Sequence, residues 1–231
     1  MIKVGLCGWT IGQRHYFERF PVLEVQQTFY DPPAERVMLR WREAAPAGFE
    51  FTMKAWQLIT HDASSRTYAR MRRPLDRNGA GSFRATEIVE HGWDVTLRCA
   101  RILRATAVLF QCPRSFKPTA ENLDNLRRFF ANRERHGLRF LWEPRGAWPP
   151  EVVCALCTDL ELVHVVDPFV DTRVTEAIYF RLHGTTGSRH VYTDAELARV
   201  AELVQGADDA YVMFNNIPRV GDAERFMKLL R

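Results

Sequence analysis

Short apolar runs recur along the chain and alternate with stretches whose apolar residues fall at helical spacing. Eight runs of strand length, rich in Val, Ile, Leu and Phe, are Ile2 to Cys7, Val22 to Gln27, Phe49 to Ala55, Ala107 to Gln111, Leu138 to Glu143, Glu161 to Val166, Ala177 to His183 and Tyr211 to Phe214. Helices are predicted between them. One runs from Pro33 to Ala44, and one from Val95 to Arg104 with Leu97, Ala100 and Leu103 on one face. Another runs from a Thr119 cap to about His136, and another from Pro150 to Asp159. Thr193 caps a helix to Val204 and Asp222 caps the last, to Leu230. The first connection has room only for a short helix around Tyr16, and Asp171 to Glu176 is too short for a full one.

Strands that alternate with helices pair in parallel through right-handed crossovers, and eight of them suit closure. The predicted fold is α/β, a single (β/α)8 barrel over residues 1–231, with an open doubly wound sheet as the alternative. The long connection from Trp56 to Trp93 reads as an Arg-rich insertion or lid after strand three. It carries Arg66, Arg70, Arg72, Arg73, Arg77 and Arg84 and a hinge-like Gly79-Ala80-Gly81.

Side chains alternate along a strand, so parity assigns the two faces. Leu23 and Val25 oppose Glu24 and Gln26; Phe51 and Met53 oppose Thr52 and Lys54; Phe140 and Trp142 oppose Arg139 and Glu143; Phe180 and Leu182 oppose Arg181 and His183. The apolar set must meet the helices, so the polar set faces the barrel axis. Gln26, Lys54, Gln111, Glu143, Arg181 and His183 then gather at the C-terminal ends of the strands, where barrel enzymes build their sites, with Glu24 a layer deeper. One of Asn215 and Asn216 also points in. Buried charges must pair or bind something. A self-satisfied plug pairs Glu24 with Lys54 and Glu143 with Arg181; a ligand site uses the same groups with one face left open.

Composition narrows the class only modestly. The chain has 231 residues, a net charge of +4 and 46% hydrophobic residues, as expected of one folded domain without a polybasic tail. Five sparse cysteines predict a reducing, cytoplasmic setting and no disulfide framework. MIKVGLCGW enters a strand directly, without a signal-peptide pattern, and no apolar run reaches the roughly 20 residues of a membrane span. The oligomeric state is left open.

VGLCGW, LEVQQTFYDPP, FEFTMKAWQLITH, LFQCPRSFKPT, FLWEPRGAW, YFRLHG and YVMFNN together resemble the family of domain-of-unknown-function number seventy-two (the YecE-like proteins), in its archaeal form. The matches run from the first strand to the eighth. The resemblance implies a TIM barrel and supplies no reaction. The family more often has Asn and Ser where this chain has Gln26 and Gln27.

The candidate chemistry follows from the mouth. Lys54 and Arg181, with Arg145, suit a phosphate- or carboxylate-bearing small molecule. Glu143, His183 and Lys54 are the candidate catalytic residues, with proton transfer assigned to Glu143 and His183. Gln26, Gln111 and Asn215 would orient the substrate, and Tyr30 and Trp9 would stack on it, with Phe29 and Trp56 at strand ends as further aromatic candidates. Lys54 as an imine-forming amine, Glu24 with Glu143 as a glycosidase-like pair and Cys7 as a nucleophile are lesser alternatives. No cofactor is predicted. A divalent metal on His61, His183, Glu143 and Asp167 is an alternative, although no spaced ligand motif exists and Lys54 and Arg181 would repel a cation. Cys154 and Cys157 have CxxC spacing inside a helix and read as packing. An enzyme on a small anionic substrate leads. A nucleic-acid binder or nuclease-like barrel, with the arginines tracking phosphates, and a non-catalytic metabolite-binding barrel are the other readings.

Overall fold

The computed structural model describes residues 1–131 and 133–230. Eight strands close into a barrel in chain order, every neighbouring pair parallel: β1 (Ile2–Cys7), β2 (Val22–Val25), β3 (Glu50–Lys54), β4 (Ala107–Gln111), β5 (Arg139–Glu143), β6 (Val163–Val166), β7 (Ile178–Leu182) and β8 (Ala210–Phe214). The open-sheet alternative is thereby excluded. Around the barrel run α1 (Gln13–Phe17), α2 (Gln27–Tyr30), α3 (Glu35–Ala44), α4 (Gln57–Thr60), α5 (Glu87–Leu103), α6 (Ala120–Ala131), α7 (Pro150–Asp159), α8 (Asp194–Val204) and α9 (Arg219–Leu229). Among the described residues no helix is long and apolar enough to cross a membrane.

Several boundaries differ from the sequence pattern for physical reasons. β2 stops at Val25, because Gln26 turns into the single helical turn α2. α5 begins eight residues before the expected Val95: Val89 and Trp93 already belong to the buried stripe that continues through Thr96, Cys99, Ala100 and Leu103. α6 ends before the expected His136, although Thr119 does cap it, accepting from the Asn122 amide at 3.2 Å. Beyond it Arg133 and Arg135 sit over aromatic rings, Arg133 at 3.8 Å from the centre of Phe129 and Arg135 at 4.6 Å from that of Phe140. Asp222 does not cap the last helix. It lies in the first turn of α9, buried, and accepts from Asn216 Nδ2 at 2.6 Å and the Tyr192 amide at 3.3 Å. Thr193 does cap α8, in a reciprocal capping box with Glu196.

The barrel interior is layered. At its N-terminal end Lys3 Nζ meets Glu50 Oε1 at 2.7 Å, Tyr211 donates to Glu50 at 2.6 Å, and Arg139 donates to Tyr211 at 2.6 Å. These contacts seal that end with paired charge. Above it Val22, Leu109, Leu141, Val165 and Met213 form a small apolar plug, distinct from the larger core between strands and helices. The second polar layer lies at the opposite end and forms the mouth.

The connection after β3 is packed structure. It holds α4, a 3-10 turn at Arg66–Arg70 and the first turns of α5. Its Gly79-Ala80-Gly81 stretch is not open chain: Ala80 is buried, and a Cβ on Gly81 would fall 2.4 Å from backbone atoms of His61 and Asp62, at a φ of +89°. Gly81→Ala should therefore destabilise the protein by more than about 1 kcal/mol, read as a lower urea midpoint with an unchanged slope.

Candidate functional site

Arg181 organises the mouth. Its side chain is 1% exposed and projects inward from β7, as parity requires. Nη2 donates to Glu24 Oε1 at 2.9 Å, Nε reaches both Glu24 oxygens at 3.2 Å, and Nη1 donates to Glu143 Oε2 at 2.6 Å. A third acceptor, Gln111 Oε1, is 3.4 Å from Nη1. One guanidinium thus takes both buried carboxylates: the expected Glu143–Arg181 pair forms, and Glu24 pairs with Arg181 as well instead of with Lys54. Tyr179 also donates to Glu24, at 2.9 Å, and Gln26 Nε2 donates to it from above. Because the Tyr179 proton is used there, its oxygen accepts from Thr52 Oγ1 at 2.8 Å. Burial alone would raise the Glu24 pKa, but the charge and hydrogen bonds of Arg181 hold it below the ordinary carboxylate value.

Lys54 is left over. It ends β3 inside the barrel and is 4% exposed, yet among the described residues no carboxylate stands within ion-pair distance of Nζ. The ammonium rests 3.8 Å from the centre of the Phe29 ring. Burial, reinforced by the positive charge of Arg181 and only partly offset by Glu24 and Glu143, pushes its pKa down to about 7. His61 also packs edge-on with Phe29, ring centres 4.9 Å apart. Burial, with Lys54 nearby, lowers its pKa to about 4, so it is neutral at pH 7.

Lys54 and the Arg181 guanidinium floor a cavity of about 410 Å³. Gln26, Tyr30, Gln111, Arg145 and Asn215 line it too, so seven of the ten residues assigned from the sequence to catalysis or substrate binding converge on one space. Of the two asparagines Asn215 faces in, whereas Asn216 is buried outward against Asp222 and the His190 carbonyl. Glu143 and His183 stand behind the cavity. Arg145 Nε is 3.5 Å and His183 Nε2 3.8 Å from Glu143 Oε1, and the His183 ring is held by the Arg181 carbonyl at 2.8 Å.

Other expectations are corrected. Trp9 does not reach the mouth: after the positive-φ turn at Gly8 it points into the helix layer and packs edge-on against Tyr16, Phe17 and Trp41. Trp56 is also withdrawn, fully buried beside α5 with its amide on Thr96. Cys7 is buried with its thiol pKa pushed up by burial, which opposes a nucleophilic role. The arginines after β3 are largely committed. Arg70 stacks on Tyr30, Arg73 binds Asp31 at 2.7 Å, Arg77 lies over Tyr68 and Arg84 binds Asp62 at 2.6 Å.

Arg114 and Thr67 also line the cavity and carried no strong pattern in the sequence. Arg114 follows β4 in the CPR turn, a position that strand-end logic alone could have flagged. Among the described residues no group of three or more His, Cys, Asp or Glu is placed to hold a metal ion. The cationic lining formed by Lys54, Arg114, Arg145 and Arg181 does not fit a divalent cation either.

A closed eight-stranded parallel barrel with a polar pocket at the C-terminal ends of its strands defines a protein of the TIM-barrel class. Residues 12–231 match the model of "Protein of unknown function DUF72", and the chain belongs to that family. It is similar to a DUF72 family protein from Enterococcus faecalis, at 24% identity over 100% of this chain and 97% of that one, with a TM-score of 0.76. A DUF72 family protein from Thermotoga maritima shares 21% identity over 100% and 99% of the chains, with a TM-score of 0.71. A xylose isomerase domain containing protein from Salmonella typhimurium shares the fold, at 13% identity over 99% and 97%, with a TM-score of 0.64. No functionally curated protein sequence matches the chain.

Proposed function

We propose that the protein is an enzyme acting on a small substrate that bears a phosphate or carboxylate, bound at the barrel mouth. One observation carries this reading: Arg181 absorbs both buried carboxylates and leaves Lys54 as a buried cation without an acidic partner among the described residues, facing a cavity. An anion entering there supplies the missing partner. Arg114 and Arg145 at the rim would grip it through paired N–H donors, and Gln26, Gln111 and Asn215 would orient the rest of the molecule. The cavity volume of about 410 Å³ suits a small metabolite.

Acid–base chemistry falls to Lys54 more readily than to Glu143. A group with a pKa of about 7 both gives and takes a proton at neutral pH, whereas Glu143 is engaged by the Arg181 guanidinium at 2.6 Å. Glu143 and His183 position Arg181 and Arg145 and shape the back wall. Phosphate tracking by the arginines after β3 loses support, because Arg70, Arg73, Arg77 and Arg84 already have partners. The five unpaired cysteines support a reducing, cytoplasmic setting.

Thermal unfolding in the presence of orthophosphate, phosphorylated sugars, short oligonucleotides and divalent metals tests the proposal. A small anion at about one hundred times its Kd should add roughly 2.7 kcal/mol of stability. Arg114→Ala and Arg145→Ala should each weaken that stabilisation without unfolding the protein, since both side chains are exposed. Stabilisation by oligonucleotides alone, falling steeply with salt, would replace this reading with the nucleic-acid one.

A further inference from the structure

We propose that Lys54 forms an imine with the carbonyl carbon of an aldehyde or ketone that also carries a phosphate or carboxylate. This deepens the anion-site reading and rests on it. The amine is placed for such chemistry: it lies on the cavity floor, against the Phe29 face and free of the carboxylates that would lock it as a structural cation. The groups that face it are Arg181 from β7, Glu24 from β2, Glu143 from β5, Cys7 from β1 and His61 beyond α4. The two acids are spent on Arg181, and the imidazole is neutral.

Residue choice points the same way. The chain uses 28 arginines and only four lysines. Arginine cannot lose its proton, so a cation needed only to hold an anion is served by the residue the chain prefers. A lysine at this position offers a lone pair that arginine does not. Lys3, the other lysine inside the barrel, is held in an ion pair with Glu50 at 2.7 Å, while Lys117 and Lys228 are exposed.

The step balances without an external oxidant or reductant. The neutral amine attacks the carbonyl carbon; a C–N bond forms and the C=O π pair moves to oxygen, which takes a proton. The nitrogen of this carbinolamine loses a proton, and the hydroxyl leaves with a second as water as the C=N bond forms. The nitrogen keeps its remaining proton, so the product is an iminium, which withdraws electrons from the adjacent carbon. The pKa near 7 leaves a large fraction of free amine at neutral pH. The neutral His61 ring, lining the same cavity, can relay the protons. The rim arginines hold the anionic end, which fixes the carbonyl relative to Nζ.

The test is reductive trapping. The full chain is incubated separately with glyceraldehyde 3-phosphate, dihydroxyacetone phosphate and pyruvate in the presence of cyanoborohydride, then mapped by mass spectrometry. Lys54→Arg, which keeps the cation, is treated in parallel, and orthophosphate stabilisation is measured on both proteins. The expected result is one adduct per chain on Lys54, suppressed by excess orthophosphate and absent from Lys54→Arg. Stabilisation by orthophosphate without a Lys54 adduct from any probe overturns the imine and leaves the anion site standing. Neither stabilisation nor adduct overturns both. Labelling spread evenly over Lys3, Lys54, Lys117 and Lys228 also overturns the imine, and the wild-type map decides this even if the variant fails to fold.

Discussion

Arg181→Met should destabilise the protein by about 3–5 kcal/mol, the usual cost of leaving a buried charge without its partner. For a chain of this length that is a fall in Tm of roughly 10 °C. Two carboxylates lose the guanidinium at once: Glu143 keeps only Arg145, at 3.5 Å, and the fully buried Glu24 keeps no ion-pair partner among the described residues. Adding Glu24→Gln and Glu143→Gln to Arg181→Met should recover most of the loss, because a neutral amide needs no counter-ion. The pH dependence also changes sign. In the wild type Glu24 has a lowered pKa, so its stabilising contribution is present above its ordinary pKa and is lost as the pH falls. In Arg181→Met burial acts on Glu24 without the guanidinium to oppose it, so this carboxylate binds its proton more tightly when folded and acidification should stabilise the variant relative to the wild type. Urea denaturation of the two proteins between pH 4 and 8 measures both effects. A loss below about 1 kcal/mol at pH 7 would mean that Arg181 does not organise the mouth.

Lys54→Met should do the opposite and stabilise the protein. The folded state holds this ammonium at a pKa of about 7 against an ordinary 10.5, so at low pH it carries an uncompensated charge. Each tenfold loss of proton affinity on folding is worth about 1.4 kcal/mol. Below pH 7 folded and unfolded chains are both protonated at Lys54, and the cost is present in full. As the pH rises from about 7 toward 10.5 the unfolded chain still binds the proton and the folded one has released it, so wild-type stability rises and the cost disappears. A methionine of similar length fills the same space, and a gain of about 1–4 kcal/mol at pH 6 is expected. The gap should close by about pH 10. Wild-type and variant Tm values across this range, without added anions, provide the check; a variant less stable at every pH would show that Lys54 has a structural partner.

Most of the architecture was legible because it is written in period and parity. Phe51 and Met53 against Thr52 and Lys54, or Phe180 and Leu182 against Tyr179 and Arg181, assign the barrel's inside and outside without reference to any neighbour. What stayed hidden depended on turns and on three-dimensional pairing. The turn at Gly8 decides that Trp9 faces the helices, and nothing in strand parity extends past that residue. Parity brought Glu24, Lys54, Glu143 and Arg181 to one end, yet the sharing of a single guanidinium by two acids follows from how strands two, five and seven converge across the barrel. That sharing frees Lys54 and therefore defines the candidate site. His61 and Thr67 come from the connection after β3, where no periodicity locates a side chain.

The protonation of Lys54, with and without an anion, tests the central claim most directly. With only four lysines, Cε-labelled protein gives a spectrum in which Lys54 is assigned by its loss in Lys54→Met. One lysine resonance should titrate near pH 7 and move upward when orthophosphate is added, because a bound anion favours the ammonium. A Lys54 resonance that titrates at its ordinary value of 10.5 and ignores orthophosphate would contradict both the unpartnered amine and the anion site built around it.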